Sequence, residues 1–432
     1  MTTWKNWAGD ETCTPAAIER PESVDDVCAA VRRAVDAGRT VRVAGAGHSF
    51  GDLVCTDGVL MSLDALSGLQ QVDRERGLVR VAAGTQLHAL NRVLDAEGLA
   101  FANLGDIDVQ SVAGAVSTGT HGTGKLIGNL ATMVESLQLV TAGGAVLELT
   151  GDDAENLAAA RISLGALGVV TAYTLRVVPS FNLRGVDQPM PLGEVMDGLD
   201  DLVDGNDHFE FFWFPHTSVA LTRRNNRTDE EAAPEGKVAA YVRNTLVENQ
   251  LLDLVCRTGR RFPGQIPRLN RLVTRALTPA TRVDKSYRIF ASQRSVRFTE
   301  TEWAVPRSEL EATLTELQDL VQGTDYAVNF PFEVRFVAGD EASLLSPAYG
   351  RESAYIAMHC YQGMPWQDFF RRAQEIAVAH GGRPHWGKRH SLDASTLATL
   401  YPEWDRFQEV RSTLDPDGVF ANDHLRRVFE AR

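Results

Sequence analysis

From Asn103 to Lys125 the chain is dominated by small and hydroxyl-bearing residues: Asn103-Leu-Gly105-Asp-Ile-Asp-Val-Gln-Ser111-Val-Ala-Gly114-Ala-Val-Ser117-Thr118-Gly119-Thr120-His121-Gly122-Thr123-Gly124-Lys125. Side-chain burial cannot drive such a segment. Its value lies in close backbone approach and hydrogen bonding, and a loop lying along a long ligand fits that best. A second glycine-rich stretch, Gly45-Ala46-Gly47-His48-Ser49-Phe50-Gly51, follows the β-branched run Val41-Arg-Val-Ala44. Glycines at the end of a strand let N–H groups converge on an anion with no Cβ in the way, the geometry of a diphosphate cradle. A plain strand-to-loop turn is the competing reading of the glycines. His48 is neither a cap nor a core residue, so it could donate, titrate or be alkylated by an electrophilic cofactor.

Two nucleotide motifs are approached and missed. The first stretch is spaced G-x-G-x-x-x-G, which does not support a Rossmann site. Gly119–Lys125 matches G-x-x-x-x-G-K, but Leu126 stands where a phosphate loop needs Ser or Thr for magnesium. A phosphate-loop transferase is therefore a remote alternative. With 43 Lys and Arg against 57 Asp and Glu and a net charge of -14, no concentrated basic face stands out, which argues against a nucleic-acid binder. Five scattered cysteines without a C-x-x-C pair argue against a disulfide framework or zinc ribbon. No secretory leader or membrane span is visible, so a cytoplasmic protein without membrane partners is expected.

The pattern predicts an α+β chain of two domains, 1–180 and 181–432, with a helical tail from about 391 packing back on the first. Pro21-Glu-Ser23 opens a helix with Val24, Val27, Ala30, Val31 and Val35 as its apolar stripe, and Gly38 ends it. Strands are predicted at 40–44, 78–83 and 167–178, and a hairpin joins 134–140 to 145–149 through Gly143-Gly144. Later stretches read as helices over 238–278 and as strands over 286–291 and 326–337.

Two late segments carry ionisable residues. In Phe332-Glu333-Val-Arg335-Phe336 the two-residue period puts Glu333 and Arg335 on one face, and His359 and Tyr361 share a face in the same way. Such a pair is usually a weak surface ion pair, although the apolar flanks equally allow a cleft. His385-Trp386-Gly387-Lys388-Arg389-His390 offers a cation on a loop with aromatic cover; the alternative is a solvated basic loop. His380, His385 and His390 are five apart, not a zinc spacing, so no metal is expected.

Taken together, Gly45-Ala-Gly-His-Ser-Phe50, Ser111-Val-Ala-Gly…Thr-Gly-Thr-His-Gly-Thr-Gly124, Leu345-Ser-Pro-Ala-Tyr-Gly-Arg351, His385-Trp-Gly-Lys388, Tyr401-Pro and Leu414-Asp-Pro-Asp-Gly-Val-Phe420 resemble flavoprotein oxidoreductases of the vanillyl-alcohol oxidase type. The nearest likeness is to the sugar-1,4-lactone branch (L-gulono- and D-arabinono-lactone oxidases or dehydrogenases), with bacterial alditol oxidases close by. The resemblance implies a two-domain FAD-binding fold, in which an FAD-binding α+β domain is followed by a substrate cap of mixed or antiparallel sheet and helices. It implies FAD carried covalently through His48. Ala44, Gly45, Ala46, Gly47, Ser49 and Phe50 would hold the cofactor from one side. Ser111, Gly114, Ser117, Thr118, Gly119, Thr120, His121 and Gly122, with Val169, would hold it from the other. Lys388, Arg335, Glu333 and His359 would line the substrate side. Arg335 and Lys388 are the cations expected to face the reduced flavin, Lys388 or His359 the proton acceptor, and Glu333 the anchor of Arg335. A sugar lactone is the expected substrate and a polyol such as xylitol the alternative, with O2 or another acceptor taking the electrons.

Overall fold

The computed structural model describes residues 2–234, 250, 252–292 and 294–430. A capping box starts the first long helix, Val24–Asp36: Ser23 accepts the Asp26 N–H, and the Asp26 side chain accepts the Ser23 N–H. Its buried face is Val27, Cys28, Ala30, Val31 and Ala34. Val35, expected in that stripe, is 41% exposed, because position 34 rather than 35 continues the i, i+3, i+4, i+7 row from Val27. The helix packs on a parallel three-stranded sheet ordered Ala17–Glu19, Val59–Ser62, Val41–Ala44.

Beside it lies an antiparallel five-stranded sheet ordered Val146–Leu149, Val134–Val140, Val169–Arg176, Leu78–Ala82, Leu69–Asp73. It contains the expected hairpin, with Gly144 at φ +72° in the turn. The small-residue segment contributes only the short helix Val112–Ser117, capped by Ser111; the rest is irregular and largely buried.

From Asn182 onward an antiparallel eight-stranded sheet forms, ordered Ala280–Lys285, Asn182–Pro191, Val219–Thr228, His208–Trp213, Phe332–Val337, Ser353–Tyr361, Phe298–Pro306, Arg383–Pro384. Helices Leu310–Gln322 and Gln367–Ala379 cover one face of it, burying Leu314, Leu317, Phe369 and Phe370 with Trp303 and Phe332. Two strand expectations need correction. Ser286–Phe290 is a short helix, since only Ile289 there is β-branched and the strand has already run its length at Ala280–Lys285. Of 326–337, only Phe332–Val337 is strand. The helical reading of 238–278 holds for Leu252–Arg261 and Ile266–Ala276; 235–249 and 251 lie outside the described residues.

The tail forms helices Ala394–Leu400, Trp404–Leu414 and Asp423–Phe429, and returns to the start of the chain. Val41 N–H donates to the Val419 carbonyl (2.8 Å), and the Asn422 amide donates to the carbonyls of Leu53 and Cys55.

Candidate active site

Two clefts meet at His48, Ser49, Gln110 and Thr118. The first, about 910 Å³, is walled by Ala44–Ser49 residues on one side and by Ser111, Gly114, Ser117, Gly165, Gly168 and Val170 on the other. Its glycines are matters of space. A Cβ on Gly45 would stand 2.5 Å from Ser111 Oγ, and Gly47 adopts φ +72°, where a side chain would be strained. Ser111 Oγ is itself fixed by accepting the Gly114 N–H (3.2 Å). At the junction, Gln110 Oε1 is buried with no partner, while its amide donates to Thr120 Oγ1. His48 lies against Trp7 with ring centres 5.1 Å apart. Burial and the nearby Lys388 charge push its pKa down to about 4, so its imidazole is neutral near pH 7.

The second cleft, about 1090 Å³, opens beneath the eight-stranded sheet and gathers Glu333, Arg335, His359 and Lys388. Register explains the gathering. Glu300 pairs opposite His359 and Arg335 opposite Glu210, while Glu302 shares the Glu300 face by the two-residue period. The Lys388 loop is stitched to that strand: His385 N–H donates to the Glu302 carbonyl and Arg389 N–H to the Glu300 carbonyl, both at 2.9 Å. Lys388 Nζ thereby sits 2.7 Å from Glu300 and 3.9 Å from Glu302, with the Phe50 ring 5.1 Å away.

The open question about Glu333 and Arg335 is answered by burial: both are at most 6% exposed and in direct contact. Arg335 also meets Glu210 at 3.1 Å and Asp106 at 3.6 Å, and Arg294 pairs with Asp106 at 2.5 Å. Burial disfavours the charge on Arg335, yet Glu333, Asp106 and Glu210 hold its pKa well above the usual value. Asp106 is half-buried, which favours its neutral form, but Arg294 and Arg335 keep it ionised far below the ordinary carboxyl range. Glu333 and Glu300 go the other way. Burial pushes Glu333 up to about 8 against the pull of Arg335, and Glu300 up to about 7 against the pull of Lys388. Burial lowers His359 to about 3, helped by Arg294 and Lys388.

Glu300, Glu302, Arg294, Asp106 and Trp7 were not singled out from the sequence. The alternation Thr299-Glu-Thr-Glu302 within an apolar strand was the readable signal for the two glutamates. Three expected cofactor residues line neither cleft: Gly119, Gly122 and Val169. Strand alternation turns Val169 into the core, while its neighbours Gly168 and Val170 face the cleft. At Gly122 a Cβ would come within 2.1 Å of the Leu104 carbonyl oxygen, so that glycine serves chain packing. Lys125 pairs with Asp204 at 2.8 Å outside both clefts, which removes the support for a phosphate loop. His121, Glu302 and His385 bring potential metal-ligating atoms within 4.8 Å of one another. His385 Nδ1, however, accepts the Gly387 N–H, so its neutral ring carries the proton on Nε2 and supplies no third lone pair.

A profile of the D-arabinono-1,4-lactone oxidase family matches residues 173–428, and an FAD-binding domain profile matches 15–150. The L-gulono-1,4-lactone dehydrogenase of Mycobacterium tuberculosis is 48% identical across 98% of both chains. The chain belongs to the D-arabinono-1,4-lactone oxidase family. The L-gulonolactone oxidase of Bos taurus is 34% identical over 99% of this chain and 98% of its own. In structure the chain resembles a solvent-stable cholesterol oxidase (TM-score 0.86, 20% identity, 99% and 97% covered), which bears on the fold alone.

The family assignment makes the protein an FAD-dependent oxidoreductase, with the α+β FAD-binding fold expected from sequence. The first cleft fits that cofactor: it is long, floored by backbone where a Cβ would intrude, and ends at an unpartnered Gln110 carbonyl.

Proposed function

We propose that this protein oxidises a carbinol of an aldono-1,4-lactone, such as L-gulono- or D-arabinono-1,4-lactone, in the second cleft. The observation that carries the reading is a cleft whose polar groups match a small ring bearing several hydroxyls: Arg294, Arg335 and Lys388 facing Asp106, Glu300 and Glu333. The names of the full-length relatives support the same substrate class. Residues 1–180 would form the cofactor domain and 181–432 the cap.

Bound FAD supplies the acceptor for the hydride that leaves the substrate carbon, and gains negative charge as it is reduced. The chain does the rest. Ala44, Gly45, Ala46 and Gly47 would present backbone to the diphosphate, with Ser111, Gly114, Ser117 and Thr118 opposite. Thr120, His121, Ser49 and Phe50 would border the reactive end. Arg335 and Lys388 would stabilise negative charge in a cleft shielded from water. Lys388 is not the base: although burial disfavours its charge, Glu300 and Glu302 hold it protonated. His359 binds protons too weakly for that task. Glu300 Oε2, held by Lys388 and poised near neutrality, is the group placed to take the hydroxyl proton. Substrate then gives up one hydride and one proton and becomes a carbonyl.

Two experiments test this reading. Anaerobic mixing with a panel of aldonolactones and alditols should bleach the flavin fastest with a lactone. Faster bleaching by xylitol or sorbitol would move the assignment to an alditol oxidase, and no bleaching by either class would end it. The neutral, Trp7-stacked His48 further supports covalent attachment of FAD. Acid-precipitated wild-type protein should keep its yellow colour in the pellet and His48→Ala should release it; colour in the wild-type supernatant would remove the bond.

A further inference from the structure

Helices Leu252–Arg261 and Ile266–Ala276 form a hairpin whose composition reverses that of the chain. Residues 252–276 hold six arginines and a single acidic residue, Asp253, within a protein of net charge -14. Along the second helix, Arg268, Arg271, Leu272 and Arg275 are all exposed and follow an i, i+3, i+4, i+7 row, a single stripe facing water. Three large apolar side chains protrude among the cations: Leu254 is 60% exposed, Phe262 at the corner 55% and Leu272 65%. Among the described residues the ion pair inside the hairpin is Arg257 with Asp253.

The inner face is anchored. Cys256 and Ile266 join the apolar cluster of Phe50, Phe298 and Phe330, and Phe50 and Phe298 wall the second cleft. The basic stripe thus stands one helix away from the wall of the substrate pocket.

We infer that this hairpin is a docking surface for an anionic lipid bilayer. Its exposed leucines and phenylalanine need an apolar layer, and its arginines need phosphates at the rim of that layer. Anionic bilayers offer the two at the spacing of an amphipathic helix lying in the interface. Nucleic acid would meet the arginines and leave the apolar side chains in water. An acidic protein would need an apolar hollow to receive a protruding corner. No helix among the described residues is long and apolar enough to cross a membrane, so the contact is one of lying on the surface.

The test is sedimentation of the FAD-loaded full chain with phosphatidylcholine vesicles, with and without phosphatidylglycerol, at low and high salt. Wild-type protein should partition onto anionic vesicles at low salt and be released by high salt. A variant carrying Arg268→Glu, Arg271→Glu and Arg275→Glu should bind on the order of 100-fold more weakly. Phe262→Ser with Leu272→Ser should lose roughly 10-fold or more. Both variants should keep the flavin spectrum and turnover in solution. Absence of wild-type binding to anionic vesicles, or binding unaffected in both variants, would overturn the proposal. So would equally tight binding of soluble polyglutamate or DNA, which would reassign the surface to another class of partner. The substrate reading has its own test and is untouched by either result.

Discussion

A Lys388→Met variant is expected to keep its fold and its FAD, yet to reduce that FAD with lactone on the order of 10²–10³-fold more slowly, read by anaerobic stopped flow. Lys388 is the cation that the late loop delivers to the cleft, 2.7 Å from Glu300 and backed by Phe50. Its loss removes stabilisation of negative charge where charge develops. It also leaves Glu300 and Glu302, two buried carboxyls, without their shared counter-ion. The pH dependence carries the sign. Glu300 is pushed up to about 7 by burial in spite of Lys388, so its carboxylate form is filled only as pH rises through neutrality. Wild-type reduction should therefore climb with pH toward a plateau. Removing Lys388 lifts the Glu300 pKa further and shifts that limb to higher pH. Glu300→Gln has nothing to titrate there, and its slow residual rate should be flat. Unchanged reduction by the methionine variant, or a neutral limb surviving in the glutamine variant, would take these residues out of the proton path.

What could be read from the sequence follows from how local each cause is. Glycine at 45 and 47 and the shared face of Glu333 and Arg335 are consequences of turn sterics and strand period, and both act over a few residues. The resemblance put Lys388 and His359 in one place, and the sheet order supplies the reason: Ser353–Tyr361 pairs with Phe298–Pro306, whose Glu300 receives the lysine from a loop 88 positions later. No spacing in the sequence announces that contact, so Lys388 read only as a cation on a loop with aromatic cover. Val169 lies outside the cleft lining for a smaller reason. The strand was correctly placed, but which alternate residue faces the cleft depends on the sheet it joins. The net charge is not local at all: a sum over the chain says nothing about where six arginines gather.

Arg42→Met should cost about 3–5 kcal/mol of stability, measured as a loss of midpoint in urea with excess FAD present. Arg42 is 2% exposed, on the strand that leads into the glycine turn, and its guanidinium donates only to main-chain oxygens. Nε and Nη2 reach the Leu53 carbonyl, Nη2 also reaches Leu164 at 2.7 Å, and Nη1 reaches Gly165 and, at 2.8 Å, Phe420. One side chain thus ties the cofactor cleft's edge, the 164–165 turn on its far wall, and the returning tail. Burial lowers its pKa to about 10, which still leaves it charged in any working buffer. Methionine fills similar space but takes the side-chain donor from the Leu164, Gly165 and Phe420 carbonyls, while Leu53 keeps the Asn422 amide, so the penalty is desolvation rather than a cavity. Lysine has the charge without the fork and should recover only part of the loss. If the methionine variant unfolds within about 0.5 kcal/mol of wild type, the range of an ordinary surface substitution, then Arg42 is not what joins the tail to the cofactor cleft.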